Sequence, residues 1–210
     1  TDTPEEGDEL RRLAAEHFMT SAELDRGRGV LEALLRDHKL SVPGGRNGAI
    51  LGLVKNLAWL RLRGVGSKST PTEDIDPKTV AQIELLISAY RGYVNFNPVW
   101  AGYFALEALR RSLSSGYEPG LITGLDYYGL MTTYAGTTSA ERRGGKLLDL
   151  AASIAARSED PLARARVGLG YGVAATALGR FDEAVHHLDQ CADKLEPCIG
   201  VSWDLAVLEL

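Results

Sequence analysis

The chain has 210 residues, of which 45% are apolar, 24% charged and 7% aromatic, with a formal net charge of −5. Such a length admits one large domain or two small ones and can bury roughly 70% of its unfolded surface, so a core forms without metal or disulfide staples. Interspersed charges of both signs give no case for nucleic-acid binding.

Helix starts are well marked along the chain. Thr3-Pro4-Glu5-Glu6, Asp76-Pro77, Asn97-Pro98 and Asp160-Pro161 each set a capping residue before a proline at the first helical position. Thr138 with Glu141 fits a capping box. Gly64, Gly116, Gly136, Gly179 and Gly200 read as stops, where glycine takes the left-handed conformation after the last turn. Apolar residues between these marks recur three and four apart, as in Leu24/Leu31/Leu34/Leu35, Ile83/Leu86/Tyr90 and Leu147/Leu150/Ile154. The spacing predicts helices over 4–20, 23–38, 47–63, 77–95, 98–114, 119–135, 139–157, 161–178 and 181–195, and another from near 200. Strand-like alternation is nearly absent, so the expected fold class is all-α, with about nine or ten helices.

A register of a small residue, an apolar one four later and a small or apolar one three after that occurs four times. It reads Gly27/Leu31/Leu34, Gly102/Leu106/Leu109, Gly144/Leu148/Ala151 and Ala184/Leu188/Cys191, the last three starting roughly 40 residues apart. Tyr128-Gly129 with Gly136 mirrors Tyr171-Gly172 with Gly179. Two helix backbones approach closely only where a side chain is missing, so Gly27, Gly102, Gly129, Gly144 and Gly172 are the expected crossing points. This gives a role to part of the glycine excess: 23 residues, against an ordinary share of about 7%.

Gly172, Gly179, Phe181, Ala184, Leu188 and Pro197 resemble the signature of a tetratricopeptide repeat. Gly168 stands where that family favours Trp, and the turn before Gly144 is longer. The resemblance covers 161–197 and 119–157 and implies a superhelix of antiparallel helix pairs. Residues 1–75 are then an irregular N-terminal portion, and 76–210 the tetratricopeptide-like repeats of one continuous solenoid. Leu24-Asp25-Arg26-Gly27, Leu60-Arg-Leu-Arg-Gly64, Ala101–Leu109 and Cys198-Ile-Gly-Val-Ser-Trp-Asp204 are similar to the C-terminal helical tail of large bacterial serine/threonine kinase–ATPase signalling proteins. That likeness implies a cytoplasmic, non-catalytic regulatory module for protein–protein interaction in signal transduction. Kinase and nucleotide chemistry would then lie elsewhere in a longer chain. The absence of an initial Met and the apolar stop at 204–210 fit such a fragment.

By the same resemblance Thr123, Asp126, Thr133, Tyr134, Arg166 and Thr176 would face a concave groove. The expected partner is a protein or peptide, or a neighbouring domain of the same chain, with no cofactor, no metal and no catalytic residue. A different reading is a small-ligand sensor controlling an attached ATPase or kinase. It rests on the tyrosines near that groove: Tyr90, Tyr93, Tyr127, Tyr128, Tyr134 and Tyr171. An exposed apolar end at 204–210, lacking the polar cap of a terminal repeat, leaves a homodimer open.

Other motifs have plainer explanations. In Gly64-Val-Gly-Ser-Lys-Ser-Thr70, Ser67 replaces the glycine that a phosphate loop needs before Lys68, a helix precedes and Pro71 follows, so it reads as a linker. Gly168, Gly170 and Gly172 lie in a helical segment with no strand before them, which suits close packing rather than a dinucleotide loop. His187 and Cys191 are one turn apart, but Cys191 takes the apolar place in the register, so a buried thiol with surface imidazoles is expected rather than a metal site. His17 and His38 are isolated, and the Glu5/Glu6, Glu73/Asp74 and Asp182/Glu183 pairs sit at helix starts, where they favour the positive end of the dipole. The acidic N-terminus lacks the order of a secretion signal, and two cysteines make no disulfide framework. Segment 39–68 has six cations and no acid, with Ile50, Leu53, Val54, Leu57 and Leu60 assigned to one helix face. It reads as a core helix with a solvated basic edge or, alternatively, as a face that docks a partner or associates peripherally with anionic membrane through 47–63. The stretch 49–62 is too short and too interrupted to span a bilayer.

Overall fold

The computed structural model describes residues 4–21, 23–66, 69–158, 160, 162–195 and 202–208. Expectations placed on Thr3, Ser67, Lys68, Pro161, Pro197, Cys198 and Gly200, and on the Glu5 and Glu6 side chains, lie outside the described residues. Among those described, ten α-helices form: α1 (Pro4–Thr20), α2 (Leu24–Asp37), α3 (Arg46–Arg63), α4 (Pro77–Tyr93), α5 (Pro98–Ser115), α6 (Glu118–Thr133), α7 (Thr138–Ala155), α8 (Ala163–Ala177), α9 (Phe181–Leu195) and α10 (Ser202–Leu208). A single 3-10 turn at Thr72–Asp74 precedes α4. The protein is all-α, with consecutive helices packed as adjacent pairs.

The local chemistry places most boundaries as the sequence indicates. Asp76 accepts from the Thr79 N–H at 3.1 Å, and Asn97 caps α5 through the Trp100 N–H. The cap of α7 is Thr137, not Thr138: its hydroxyl accepts from the Ala140 N–H at 3.2 Å. Glu141 pairs instead with Arg180. Gly64, Gly116, Gly136 and Gly179 all have φ between 70° and 80°, the left-handed geometry that ends a helix without a Cβ clash.

Two compact units divide the chain, Thr1–Gly120 and Leu121–Leu210. In the first, α1 packs with α2, α4 with α5, α1 against α4, and α3 against α5. Helix α5 is apolar around most of its circumference, with Phe104, Leu106 and Leu109 fully buried. Phe104 stacks on Tyr93 at 5.7 Å and meets Tyr103 edge-on at 5.2 Å. A Cβ on Gly27 would lie 2.9 Å from the Met19 backbone nitrogen, which makes Gly27 the expected α1–α2 crossing. Helix α3 carries its expected stripe but is not covered across all of it. Leu60 is buried and Leu53 and Leu57 half-buried, whereas Ile50 and Val54, at the other edge of the same stripe, are exposed. The stripe on α3 is thus a single face, covered along one edge and open along the other.

In the second unit one crossing recurs. At the α6–α7 hairpin a Cβ on Gly144 would lie 2.7 Å from the Gly129 carbonyl oxygen, and one on Gly129 would meet Leu148 at 3.0 Å. At the α8–α9 hairpin Gly172 faces Leu188 at 2.6 Å and the Ala184 carbonyl at 3.6 Å. Gly129/Gly144/Leu148 and Gly172/Ala184/Leu188 are therefore the same contact made twice. Short helix α10 closes the unit against α8 and α9. Leu205 and Leu208 pack on the cluster of Ala165, Leu169, Cys191 and Leu195. This corrects the expectation of an exposed apolar end for 204–208: the segment covers core and removes that argument for a homodimer.

Candidate interaction surface

Helix α8 carries three glycines two apart, and each accommodates a different neighbour. Gly168 and Gly172 lie one turn apart and face α9, where Cys191 Sγ and Leu188 take the space a side chain would fill. Gly170 points the other way, toward α6. An added Cβ there would lie 2.6 Å from Asp126 Cγ and 3.0 Å from Oδ2. The carboxyl of Asp126 therefore rests on bare α8 backbone.

That carboxyl has an uncommon environment. Its Oδ1 is enclosed and makes no hydrogen bond, although the residue as a whole keeps some exposure. Burial disfavours the charged form and pushes the Asp126 pKa up from 3.8 to about 8. Tyr134 and Tyr171 both lie within electrostatic reach of it. Tyr134 is 60% exposed, whereas the Tyr171 hydroxyl donates to Asp149 at 2.7 Å and its ring stacks on His187 at 5.5 Å. Tyr127 on α6 is pushed up to about 12, first by burial and then by Tyr134.

Of the six residues expected to face a groove, the structure thus brings Asp126 and Tyr134 into one neighbourhood. Thr123 is half-buried on α6. Thr133 does not face outward: it is 3% exposed at the α6–α7 crossing, and its hydroxyl donates to the Gly129 carbonyl at 3.0 Å. Thr176 is exposed, but its hydroxyl donates to the Gly172 carbonyl at 2.9 Å, the same back-bond one repeat later. Arg166 is engaged elsewhere. Its guanidinium pairs with Asp204 at 3.3 Å, whose side chain is 2% exposed, and with Asp160 at 3.5 Å.

Cys191 is buried, with Sγ donating to the Ala165 carbonyl at 3.2 Å, and burial raises its pKa. His187 stacks on Tyr171 instead, and His186 meets Gln190 at 2.9 Å. Among the described residues no group of three or more His, Cys, Asp or Glu comes together as a metal site. No described helix is long and apolar enough to cross a membrane.

The first unit holds polar groups that sequence spacing leaves scattered. Arg12, Glu16 and Arg91 are each more than four-fifths buried; Arg12 and Arg91 both approach Glu16 at 3.6 Å, and Ser88 donates to Glu16 at 2.9 Å. His38 Nε2 lies 3.1 Å from Asp8. Of these, Asp8, Arg12 and His38 border a cavity of about 570 Å³ whose apolar lining includes Leu34, Ile75, Val80 and Leu85. The one sequence signal for this cluster is Ser88, a lone hydroxyl inside the apolar run Leu85–Tyr90. Comparison of the chain with protein-family models, with curated proteins and with solved structures gives no match.

Proposed function

We propose that the chain is a non-catalytic protein-interaction module of helical repeats, and that the α6–α8 face of its second unit receives a peptide bearing a cationic side chain. The observation that carries this reading is Asp126. A buried carboxyl without a hydrogen-bond partner is costly and rare in a folded protein, and a charge partner from outside would satisfy it. Arg166, the one cation of the expected groove set, is already held by Asp204 and Asp160. Exposed Tyr134, within electrostatic reach of the carboxyl, offers an aromatic face on which a guanidinium can stack. A regulatory role in a bacterial kinase–ATPase signalling protein is supported by the sequence resemblance.

The test is an array of peptides of about ten residues with Lys or Arg at a single varied position, read by fluorescence anisotropy. Cation-containing peptides should bind. Asp126→Asn should weaken them about tenfold or more while leaving uncharged controls unchanged, in line with the strength of a charge-assisted hydrogen bond. Equal binding to both proteins, or no binding at all, would sink the reading.

A second reading, the small-ligand sensor, is supported by the 570 Å³ cavity of the first unit, a volume in the range of small-molecule sites. It differs from the tyrosine-lined groove that the sequence suggests. A thermal-shift screen of metabolites on the whole chain separates the two, since a saturable rise abolished by Val80→Trp places the ligand in that cavity.

A further inference from the structure

Helix α3 stands apart from the rest of its unit in two independent ways. The first is coverage. Helices α1 and α2 pair with each other, as do α4 and α5, and α1 also packs on α4, whereas α3 has α5 as its main neighbour. Its far side is open: Ile50 is 41%, Val54 54%, Leu51 71% and Leu62 90% exposed. At about 100° per residue these four span an arc of roughly 120°, with Arg61 at the Ile50 edge and Lys55 just beyond Leu62. The inward residues Ala49, Asn56 and Leu60 lie on the opposite side.

The second is charge. Outside α3, every arginine of the first unit pairs with a carboxylate: Arg11 with Asp8, Arg12 with Glu9, Arg26 with Glu23, Arg28 and Arg36 with Glu32, Arg91 with Glu16, and Arg110 and Arg111 with Glu107. Arg46, Lys55 and Arg61 have no ion pair or hydrogen bond among the described residues. Arg63 differs, because it donates to the carbonyls of Leu113, Gly64 and Gly66 and so ties α3 to the end of α5. An acid-free helix therefore presents an uncovered apolar stripe with unneutralised cations along its edges, in a chain whose net charge is −5.

We propose that the outer face of α3 is a docking surface for an amphipathic helix with Asp or Glu along the edges of its apolar stripe. Such a helix gives α3 the second neighbour that the other helices of the unit have. Its carboxylates meet Lys55 and Arg61 as flanking charges do across a helix pair, while its apolar residues cover Leu51, Val54 and Leu62. The surface is distinct from the α6–α8 face and does not depend on it.

The test uses the whole chain and two synthetic helical peptides of about 20 residues. Both have a leucine stripe; one is flanked by Glu and the other by Lys. Anisotropy should show saturable binding of the Glu peptide that weakens as salt is raised, with at least tenfold weaker binding of the Lys peptide. The double variant Lys55→Glu/Arg61→Glu should invert that preference, and Leu51→Gln/Val54→Gln should weaken the Glu peptide tenfold or more. All four positions are exposed, and circular dichroism confirms that the variants keep their helix content. Equal binding of both peptides, binding of neither, or binding untouched by the variants overturns the proposal. So does co-sedimentation with phosphatidylserine vesicles through these same residues when neither peptide binds, because the occupant is then lipid.

Discussion

Gly144 and Gly145 are adjacent in α7 and have opposite duties. A Cβ on Gly144 would meet the Gly129 carbonyl oxygen at 2.7 Å and the Thr133 backbone nitrogen at 3.2 Å. Both are main-chain atoms of a packed helix and cannot swing aside, so the two helices would have to separate. At Gly145 nothing lies within 4 Å. Gly144→Ala is therefore expected to destabilise the protein by about 2–3 kcal/mol, as overpacking at a tight contact does. Gly145→Ala should stabilise it by roughly 0.5–1 kcal/mol, the ordinary gain from restricting glycine in a helix. Urea denaturation of the two variants checks both signs. A destabilising Gly145→Ala, or a neutral Gly144→Ala, contradicts the crossing geometry.

At the scale of an element, α10 is the instructive case. It is only seven residues long, too short to hold helical form by itself, so tertiary contacts must keep it in place. Two kinds are visible: Leu205 and Leu208 on the Ala165/Leu169/Cys191/Leu195 cluster, and the buried Asp204 carboxylate on Arg166. Removing Arg166 leaves a buried charge without its partner, a change that costs several times more than an exposed ion pair contributes. Arg166→Ala should lower stability by about 2–4 kcal/mol and release α10 from the cluster. In a Cys198→Ser background Cys191 reports that release directly. Its modification by a thiol reagent should be slow in the parent and faster in Arg166→Ala. An unchanged rate would mean that the leucines alone seat the helix.

Across the whole molecule, helix number, most helix ends and the recurrent crossing were legible because capping residues, prolines and glycines act within a turn or two of their own position. The surface assignments were less legible. Which side of α3 faces α5, whether Thr133 looks outward, and whether 204–208 is covered all depend on neighbours distant in sequence. Asp126 was legible as a polar residue of α6, but its isolation depends on Gly170, some forty residues on, having no side chain. The charge balance is likewise a property of the assembled chain, and its two halves act in opposite pH ranges. In the first unit burial alone would raise the Glu107 pKa, but Arg110 and Arg111 outweigh it and hold the carboxyl below its usual 4.5. That group stabilises the fold above its unfolded pKa and loses its contribution as pH falls through the lowered value. In the second unit Asp126 is displaced upward, from 3.8 to about 8, by burial. Its neutral form suits the fold, so its contribution is complete below about pH 4 and is lost as pH rises through about 8. Stability should therefore peak in mildly acidic solution and decline on both sides. Asp126→Asn should flatten the alkaline decline, worth roughly 2–4 kcal/mol between pH 5 and 9, and leave the acid limb in place. Glu107→Gln should do the reverse. Thermal melts followed by circular dichroism from about pH 2.5 to about pH 9 distinguish the two limbs. An alkaline decline that survives Asp126→Asn would show that the carboxyl is already ionised in the folded chain and has found a partner.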